Sequence, residues 1–408
     1  MAIAVAKLAE WLIKTFGLGA GATWPGEIAL RLDPKIVRKL TPRLRKGTIL
    51  VAGTNGKTTT SLMITRILES QGERVIHNKS GANLLNGIAS ALISQKDADW
   101  GVFEVDENAL PSVLAELAPT ALVLLNLFRD QLDRYGEVDV IVEKWKKAMR
   151  TLPQKTTLVV NADDPGIASL GTKNSLYFGV NDTKKMQKEF EHATDSTFCP
   201  DCGTRLTYDG IYYSHIGLWR CTGCGRARPQ PQVHTFPSAL PGLYNQYNTL
   251  AAVAVAKALG YPPDALQSFT PAFGRQEEFV MDGRKIKLFL SKNPAGFNAS
   301  LRTVLEMGAK QFLFVLNDRI PDGRDVSWIW DVDFEKLPST ALVAAGGDRV
   351  WDMAIRLKYA GSQPVIFEHL ETALASTAKQ SKTAPLYVLA TYSAMLEVRK
   401  ILIGRKIL

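Results

Sequence analysis

The sequence lacks any apolar run of the roughly eighteen residues that a membrane-spanning helix needs. It also has only four cysteines, and all of them lie in two short motifs, CPDC at 199–202 and CTGC at 221–224. This clustered placement favours metal binding in a reducing compartment over a secreted disulfide framework. The two absences therefore argue against an integral membrane protein and against a disulfide-rich secreted one.

Acidic residues are in deficit, since 40 Asp and Glu stand against 49 Lys and Arg, which gives a formal net charge of +9. This charge suits nucleic acid, an anionic membrane surface or a phosphorylated substrate, and charge alone does not choose among them. The cysteine motifs carry no basic block beyond RARPQPQ at 226–232, which argues against nucleic acid. A chain of 408 residues is expected to fold as two or three domains.

The first segment, residues 1–45, is predicted to be helical. Ala4, Leu8 and Leu12 recur at helical spacing, which predicts an amphipathic helix with these residues on one side. Lysines inside the apolar pattern are atypical of a signal peptide. We expect this helix to dock on its own domain, and a helix lying on a membrane surface is the alternative.

Short apolar runs alternate with helical stretches from residue 46 onward, which predicts a parallel, doubly wound α/β domain over 46–270. A polar, cysteine-bearing hairpin is expected to interrupt this domain at 195–232. A second α/β domain is predicted over 271–408, with KIKLFLSK, KQFLFVLND, TALVAAGG, PVIFE and PLYVLATY as its strands.

The stretch VAGTNGKTTT at 51–60 carries the strongest functional signal. A strand that enters a Gly-rich turn and opens a helix aims backbone N–H groups and the helix N-terminus at an anion. Lys57 would neutralise phosphates, and the hydroxyl of Thr58 would bind Mg²⁺. The spacing departs from the general phosphate-loop pattern, because Gly53 lies only three residues before Gly56. A strand–helix turn that contains Gly-Lys-Thr by chance is the alternative.

This shortened loop, GTNGKT, resembles that of the Mur ligases, the ATP-dependent enzymes that build the peptidoglycan stem peptide. The segments FEVDE, NLFRDQLDRYGEVD, NADDP, LPGLYNQYNTLAA and GRQE match further motifs of that family in the same order. The resemblance implies that ATP phosphorylates a substrate carboxylate and that an amine attacks the acyl phosphate. It also implies that Lys57 contacts the phosphates and that Thr58 and Glu104 hold Mg²⁺, with the neighbouring Asp106 and Glu107 as alternatives to Glu104.

The same resemblance assigns residues outside the loop. Asn245 and Asn248 match nucleotide-contacting asparagines, and Arg275 matches an arginine that reaches ATP from the C-terminal domain. Lys292 matches a lysine near the transferred phosphate in some Mur ligases, and an ordinary strand-end lysine is the alternative. The implied ATP-binding set is Gly53, Thr54, Asn55, Gly56, Lys57, Thr58, Thr59, Asn245, Asn248 and Arg275.

This chain departs from ordinary Mur ligases at several positions. Gln131 stands where the family has the histidine of D-H-L-D, which weakens a second metal site. Trp145 falls at the position of a carbamylated lysine, although Lys144 and Lys146 adjoin it. Only residues 1–45 precede the loop strand, so we expect no domain for a UDP-sugar and a substrate other than a UDP-linked precursor.

Each cysteine motif is a C-x-x-C knuckle, and 18 residues separate the two, as in a four-cysteine zinc ribbon with an intervening hairpin. Four thiolates complete a tetrahedral shell, so the zinc would be structural rather than catalytic. Unliganded thiols or a redox role are the alternatives. His215 in the hairpin is expected to be a packing or surface residue. The predicted ligands are Cys199, Cys202, Cys221 and Cys224.

The ribbon and the C-terminal segments SKNPAGFNASL and DGRDVSWIWDVDFE resemble one branch of the Mur ligase family, the synthetase subunits of lipid II isoglutaminyl synthases. The resemblance implies a Mur-ligase-like P-loop ATPase domain with an inserted ribbon, followed by a Rossmann-like α/β domain. It implies ATP-dependent amidation of the D-glutamate α-carboxyl of lipid II, with ammonia from a class I glutaminase partner of the GatD type, in the cytoplasm at the inner face of the membrane.

Cysteine usage supports the need for a partner, because zinc would occupy every thiol and leave no nucleophile to hydrolyse glutamine. A Mur-type or folylpolyglutamate-type ligase that joins an amino acid to a soluble substrate is one alternative. A zinc-ribbon ATPase that binds nucleic acid is another.

The segment PDGRDVSWIWDVDFE, residues 321–335, combines carboxylates with tryptophans and is called the acidic loop below. It follows a predicted strand, so we expect it at the carboxyl edge of the second sheet. The resemblance implies that Asp325 orients the catalytic histidine of the glutaminase partner, completing a Cys-His-Asp triad. Asp322, Asp331 and Asp333 are the competing assignments, and Trp328 and Trp330 are expected either to dock the partner or to pack locally.

Overall fold

The computed structural model describes residues 2–15, 23–78, 81–95, 97–130, 137–270, 275–380 and 384–404. Its strands are β1 (Leu44–Ala52), β2 (Val75–His77), β3 (Ala98–Val105), β4 (Ala121–Leu124), β5 (Thr157–Asn161), β6 (Leu176–Phe178), β7 (Thr207–Tyr213), β8 (Ile216–Arg220), β9 (Arg275–Met281), β10 (Arg284–Leu290), β11 (Gln311–Val315), β12 (Leu342–Gly346), β13 (Val365–Ile366) and β14 (Leu386–Ala390). Its α-helices are α1 (Ala2–Thr15), α2 (Trp24–Leu32), α3 (Ile36–Leu40), α4 (Lys57–Ser70), α5 (Leu85–Ser94), α6 (Leu110–Glu116), α7 (Val138–Met149), α8 (Pro165–Ser169), α9 (Leu243–Leu259), α10 (Pro294–Glu306), α11 (Val350–Tyr359), α12 (Leu370–Gln380) and α13 (Tyr392–Ile403).

The central domain is built on a parallel sheet in the order β2-β3-β1-β4-β5-β6. Alternate side chains of β1 enter two different cores, Leu50 on one face and Ile49 and Val51 on the other. Burial on both faces explains why the second half of β1, residues 49–52, is continuously apolar, whereas Arg45 and Lys46 in its first half are exposed. Because β3 and β4 flank β1 on opposite sides, the crevice of this sheet opens after β1, where ligands bind in doubly wound folds.

The cysteine-bearing insertion leaves this sheet after β6 and returns where Phe178 pairs with Val233. Its core is the antiparallel hairpin β7–β8. Gln187 pairs with Ile211, so the inserted module begins nearer to Phe178 than the range 195–232 suggests.

The C-terminal domain contains a second sheet in the order β13-β12-β11-β14-β10-β9, in which only β9 is antiparallel to its neighbour. The five predicted strands are present, and the α/β architecture of both domains is confirmed. Strand β9 was not predicted. The signal was the pair Asp282-Gly283, which has φ values of 52° and 77° and forms the tight turn of the β9–β10 hairpin.

Helix α1 is present, and it packs on α2 and α5 through Ala6, which is fully buried. The helix therefore docks on its own domain as expected, but the side that carries Ala4 and Leu8 does not form the contact, because Ala4 is exposed and Leu8 is 56% exposed. Apolar residues lie around most of this helix, so the helical period did not select the buried face. Among the described residues, no helix combines the length and apolar character required to cross a bilayer.

The inserted module also contacts the C-terminal domain. Arg302 of α10 donates hydrogen bonds to the carbonyl oxygens of Tyr212 (2.7 Å) and Lys185 (3.1 Å). Nδ1 of His192 lies 2.9 Å from Oδ1 of Asp333 in the acidic loop. The insertion therefore bridges the sheet that carries the phosphate loop and the domain that carries the acidic loop.

Candidate active site and cysteine cluster

The phosphate loop, residues 53–56, connects β1 to the N-terminus of α4. Gly56 has a φ of 89°, and a Cβ added there would lie 2.1 Å from Oδ1 of Asn248. Glycine is therefore required both by the backbone conformation and by the close approach of α9. This geometry directs the first N–H groups of α4 towards the crevice above the sheet.

Lys57 is the first residue of α4, and its side chain is almost fully buried. Its Nζ donates hydrogen bonds to the carbonyl oxygens of Gly53 (2.5 Å) and Thr54 (3.0 Å) and lies 3.1 Å from Oε2 of Glu107. Burial alone would raise the pKa of the Glu107 carboxyl, but the ammonium of Lys57 holds that pKa below its usual value. The ammonium of Lys57 thus donates to three oxygen acceptors at the loop. Phosphate oxygens are also acceptors, so the same ammonium suits a bound phosphate.

Thr58 lies beside Glu104 at the end of β3. Its hydroxyl donates to Oε2 of Glu104 at 2.6 Å, while Oε1 of Glu104 accepts the N–H of Gly81 at 3.0 Å. A hydroxyl next to a carboxylate is the oxygen donor set that Mg²⁺ prefers, so these residues fit the ion. The structure pairs Glu107 with Lys57 instead, which favours Glu104 over Glu107 as the carboxylate next to Thr58.

A cavity of about 300 Å³, the phosphate cavity, lies between the two domains. Lys57, Thr58 and Glu104 line it from the central domain, and Arg275 and Lys292 line it from the C-terminal domain. Nη2 of Arg275 donates to the hydroxyl of Thr58 at 3.3 Å, and its buried Nε has no hydrogen-bond partner among the described residues. Burial lowers the pKa of this guanidinium, and the carboxylate of Glu104 opposes that shift. The cavity thus combines cationic groups from both domains around one space.

A second cavity of about 70 Å³, the asparagine cavity, adjoins the phosphate loop on the other side. Asn245, Asn248 and Thr59 line it, together with Arg275 and Phe289 of the C-terminal domain. Nδ2 of Asn248 donates to Oδ1 of Asn245 at 3.2 Å. Asn55, Gly56 and Arg275 line both cavities, so the two spaces adjoin at the phosphate loop.

The position expected for a carbamylated lysine has another role. Trp145 is fully buried, and its indole N–H donates to the carbonyl oxygen of Glu107 at 2.7 Å. Lys144 bonds Asn108, and Lys146 pairs with Glu143. Trp145 therefore supports the segment that holds Glu107. Gln131 lies outside the described residues.

Two asparagines that the sequence analysis did not single out secure the phosphate loop. Asn126 bonds both backbone groups of Asn55, at 2.9 and 3.0 Å. The side chain of Asn55 exchanges hydrogen bonds with Asn293, which also caps α10 through the N–H of Gly296. Asn293 precedes a proline in SKNP, so its N-cap position was an available signal. Asn126 opens the NLFRD segment after β4, and its contact with Asn55 became visible only in the structure. Together they tie the loop to both domains.

The four aspartates of the acidic loop differ in their contacts. Asp322 is buried and bonds the N–H and hydroxyl of Ser393. Asp333 is buried against His192 and Lys336, and Asp331 lies 3.2 Å from Arg129. Asp325 is exposed and accepts only the N–H of Ser327, at 2.8 Å, within the described part of the chain. Asp325 is therefore the aspartate whose side chain is available to another molecule.

The two tryptophans of this loop differ in their burial. Trp328 is partly buried and packs on Phe297 against the domain core. Trp330 is 48% exposed and contacts Tyr359 edge to face.

The four cysteines form one cluster in which all sulfur atoms lie within 4.8 Å of one another. Sγ of Cys199 lies 3.7 Å from that of Cys224, and Sγ of Cys202 lies 3.4 Å from that of Cys221. A tetrahedron with Zn–S bonds of about 2.3 Å has sulfur–sulfur edges of about 3.8 Å, so the cluster is compatible with zinc. His215 is not part of it, because it is buried at the hairpin turn, where its ring contacts Phe128.

Comparisons with known proteins identify two family segments. Residues 51–256 match the Mur ligase middle domain, and residues 290–395 match the MurT ligase C-terminal domain. The chain is 37% identical to the lipid II isoglutaminyl synthase (glutamine-hydrolyzing) subunit MurT of Staphylococcus aureus (strain COL), over 90% of this chain and 89% of that protein. It is 34% identical to the subunit of the same name from Streptococcus pneumoniae (strain ATCC BAA-255 / R6), over 96% and 94%.

Solved structures with the same fold include a pseudomurein peptide ligase type C from Methanothermus fervidus, with a TM-score of 0.70 and 22% identity over 90% of this chain and 80% of that chain. MurF ligase from Thermotoga maritima in complex with ADP has a TM-score of 0.63 and 16% identity, over 92% and 83%. The resemblance drawn from the sequence motifs is thereby confirmed.

The closeness of the phosphate loop to α9 yields a prediction. Gly56→Ala should weaken ATP binding by about tenfold or more, a loss of about 1.4 kcal/mol, because the new methyl group displaces Asn248. Gly72→Ala is the matched control, since Gly72 also has positive φ (80°) but has open space around its Cβ direction. Titration calorimetry with ATP measures both, and equal affinities for the two variants would contradict the assignment of this loop.

Proposed function

Because the chain belongs to the Mur ligase family, in the branch of the MurT subunits of lipid II isoglutaminyl synthases, we propose that it is the ATP-dependent synthetase of such an enzyme. It would convert the α-carboxyl of the D-glutamate in lipid II to an amide, with ammonia delivered by a GatD-type glutaminase partner. The observation that carries this proposal is the phosphate cavity, where Lys57 and Arg275 from two domains meet beside Thr58 and Glu104. Because lipid II is a membrane lipid, the proposed site of action is the inner face of the membrane.

The first step joins two anions, the substrate carboxylate and the γ-phosphate of ATP. Their repulsion must be offset by fixed positive charge, which Lys57, Arg275 and the N-terminus of α4 supply around the cavity. Asn245 and Asn248 would hold the nucleoside in the asparagine cavity. Mg²⁺ held by Thr58 and Glu104 would neutralise the phosphate oxygens further.

The second step needs a nucleophilic amine. Ammonium has no free lone pair, so the acyl phosphate must receive neutral ammonia. The four cysteines lie together in one cluster, and a zinc ion bound there would leave none of them free as a glutaminase nucleophile. The exposed carboxylate of Asp325 supports a role in orienting a histidine of the partner, because the other three aspartates of the acidic loop have partners within this chain.

The proposed reaction is tested with purified chain, ATP, Mg²⁺, lipid II and ammonium. We expect ADP, inorganic phosphate and a stem peptide whose carboxyl has become a carboxamide, detected by mass spectrometry. A free amino acid should not replace ammonia as the amine that attacks the acyl phosphate. ATP hydrolysis stimulated only by nucleic acid, with lipid II unchanged, would contradict the proposal.

Asp325→Asn, assayed with the glutaminase partner present, should abolish glutamine-driven amidation and leave ammonium-driven amidation intact. The amide cannot stabilise a protonated histidine, and such a change in a triad lowers kcat by about 10⁴-fold. Asp331→Asn, in the same loop, serves as the parallel variant. If Asp325→Asn lowers glutamine-driven and ammonium-driven amidation equally, the cross-subunit role is contradicted. If Asp331→Asn, and not Asp325→Asn, loses only the glutamine-driven amidation, the role belongs to Asp331.

We also infer that the cysteine cluster holds one structural zinc ion. Elemental analysis should find about one zinc per chain, as a Cys₄ site requires. Cys199→Ser should reduce the zinc content and lower the Tm, because Cys199 and Cys221 are buried against Trp219 and Leu206. A metal-free wild-type protein with an unchanged Tm would show that the thiols act otherwise.

A further inference from the structure

One ion pair separates two cavities. The phosphate cavity lies on one side, and a cavity of about 120 Å³ beneath the acidic loop, the acidic-loop cavity, lies on the other. Asp130 of the central domain and Lys292, just after β10, line both cavities. Nζ of Lys292 donates a hydrogen bond to Oδ2 of Asp130. The pair therefore forms the common wall of the two spaces.

Asp130 is incompletely satisfied in this position. The residue is only 7% exposed, and its Oδ1 has no hydrogen-bond partner in the described part of the chain. A buried carboxylate oxygen without a donor costs free energy, so buried acceptors are nearly always paired in native proteins. A ligand with an N–H or O–H group would satisfy it, and that ligand must be small to reach it through the acidic-loop cavity.

The two cavities end at the groups that an ammonia-transferring enzyme must connect. Asp325, the aspartate available to a partner, lines the acidic-loop cavity with Ser327 and Trp328. Thr58 and Glu104 line the phosphate cavity on the far side of the ion pair. Ammonia released next to Asp325 would therefore meet Asp130 before it meets the activated carboxyl.

We propose that ammonia enters the phosphate cavity at the Asp130–Lys292 pair and that Oδ1 of Asp130 accepts an N–H of the attacking ammonia. This assignment rests on the proposed function. The lone pair of ammonia forms a C–N bond to the carbonyl carbon of the acyl phosphate, and the C–O bond to phosphate breaks. One proton leaves the nitrogen through Asp130 and reaches the departing phosphate, so the products are the amide and hydrogen phosphate.

Asp130→Asn in the complete complex tests this role, because the amide can still accept from Lys292 but then presents N–H groups to ammonia. We expect kcat/KM for ammonium to fall about 10²-fold, the contribution typical of a positioned proton acceptor. Glutamine hydrolysis and ATP affinity should stay unchanged, so that ammonia escapes into solution and less amide forms per glutamine. Acyl phosphate formation, followed by positional isotope exchange in ATP labelled at the bridging oxygen, should also persist.

Asp348→Asn is the matched control, because it removes the same charge from a carboxylate ion-paired with Arg319, outside both cavities. Asp130→Glu keeps a carboxylate and should recover part of the ammonium kcat/KM. Retained isotope exchange shows that the variants are folded.

Two results would overturn the assignment to Asp130. Unchanged kcat/KM for ammonium in Asp130→Asn would mean that Oδ1 does not bind ammonia and that an ordinary water satisfies it. Loss of isotope exchange with a raised Mg²⁺ requirement would assign Asp130 to phosphoryl transfer. Failure of the wild-type complex to amidate lipid II from ammonium is a different result, which contradicts the proposed function itself.

Discussion

Buried positive charge in the phosphate cavity, where the proposed reaction brings two anions together, is the main constraint on the rest of the structure. Lys57 is buried, and a buried ammonium is tolerated only with anionic or carbonyl partners, which Glu107 and the phosphate loop provide. Those contacts require the loop to fold back over its own lysine, and this needs glycine at 56 because α9 comes so near. Arg275 adds a second cation from the other domain. The site therefore exists only when both sheets are in place.

The inserted ribbon contributes to that arrangement. Its hairpin and preceding segment reach α10 and the acidic loop through Arg302 and His192, while Arg129 of the central domain pairs with Asp331. Phe128, next in the chain to Arg129, exchanges hydrogen bonds with Thr54 of the phosphate loop. A continuous set of contacts thus links the acidic loop to the phosphate loop. A ribbon with a structural metal would give this link a rigid support.

Much of the fold followed from local pattern. The apolar runs located the predicted strands, and the Gly-rich turn between β1 and α4 located the phosphate loop, because both signals reside within a few consecutive residues. The packed face of α1 and the strand β9 were not predicted, because apolar pattern within a few consecutive residues does not define either of them. Leu8 is as apolar as a core residue but is exposed, since the neighbouring helices α2 and α5 decide which side is covered. The edge strand β9 is amphipathic and charged, so no apolar run marks it, and its local signal was the Asp-Gly turn that leads into β10.

By itself the sequence determined the chemistry that the chain can offer: a lysine and a hydroxyl after a Gly-rich turn, four thiols at ribbon spacing, and an acidic loop with tryptophans. Tertiary structure decided which of several similar groups meet. It paired Glu104 with Thr58 and Glu107 with Lys57, and it left Asp325 exposed while it bound Asp322 and Asp333 internally. It also brought Asp130 to Lys292 across the domain boundary. Identical carboxylates a few residues apart differ in the partners that the fold brings to them. These partners are distant in the chain, so the neighbouring sequence does not specify them.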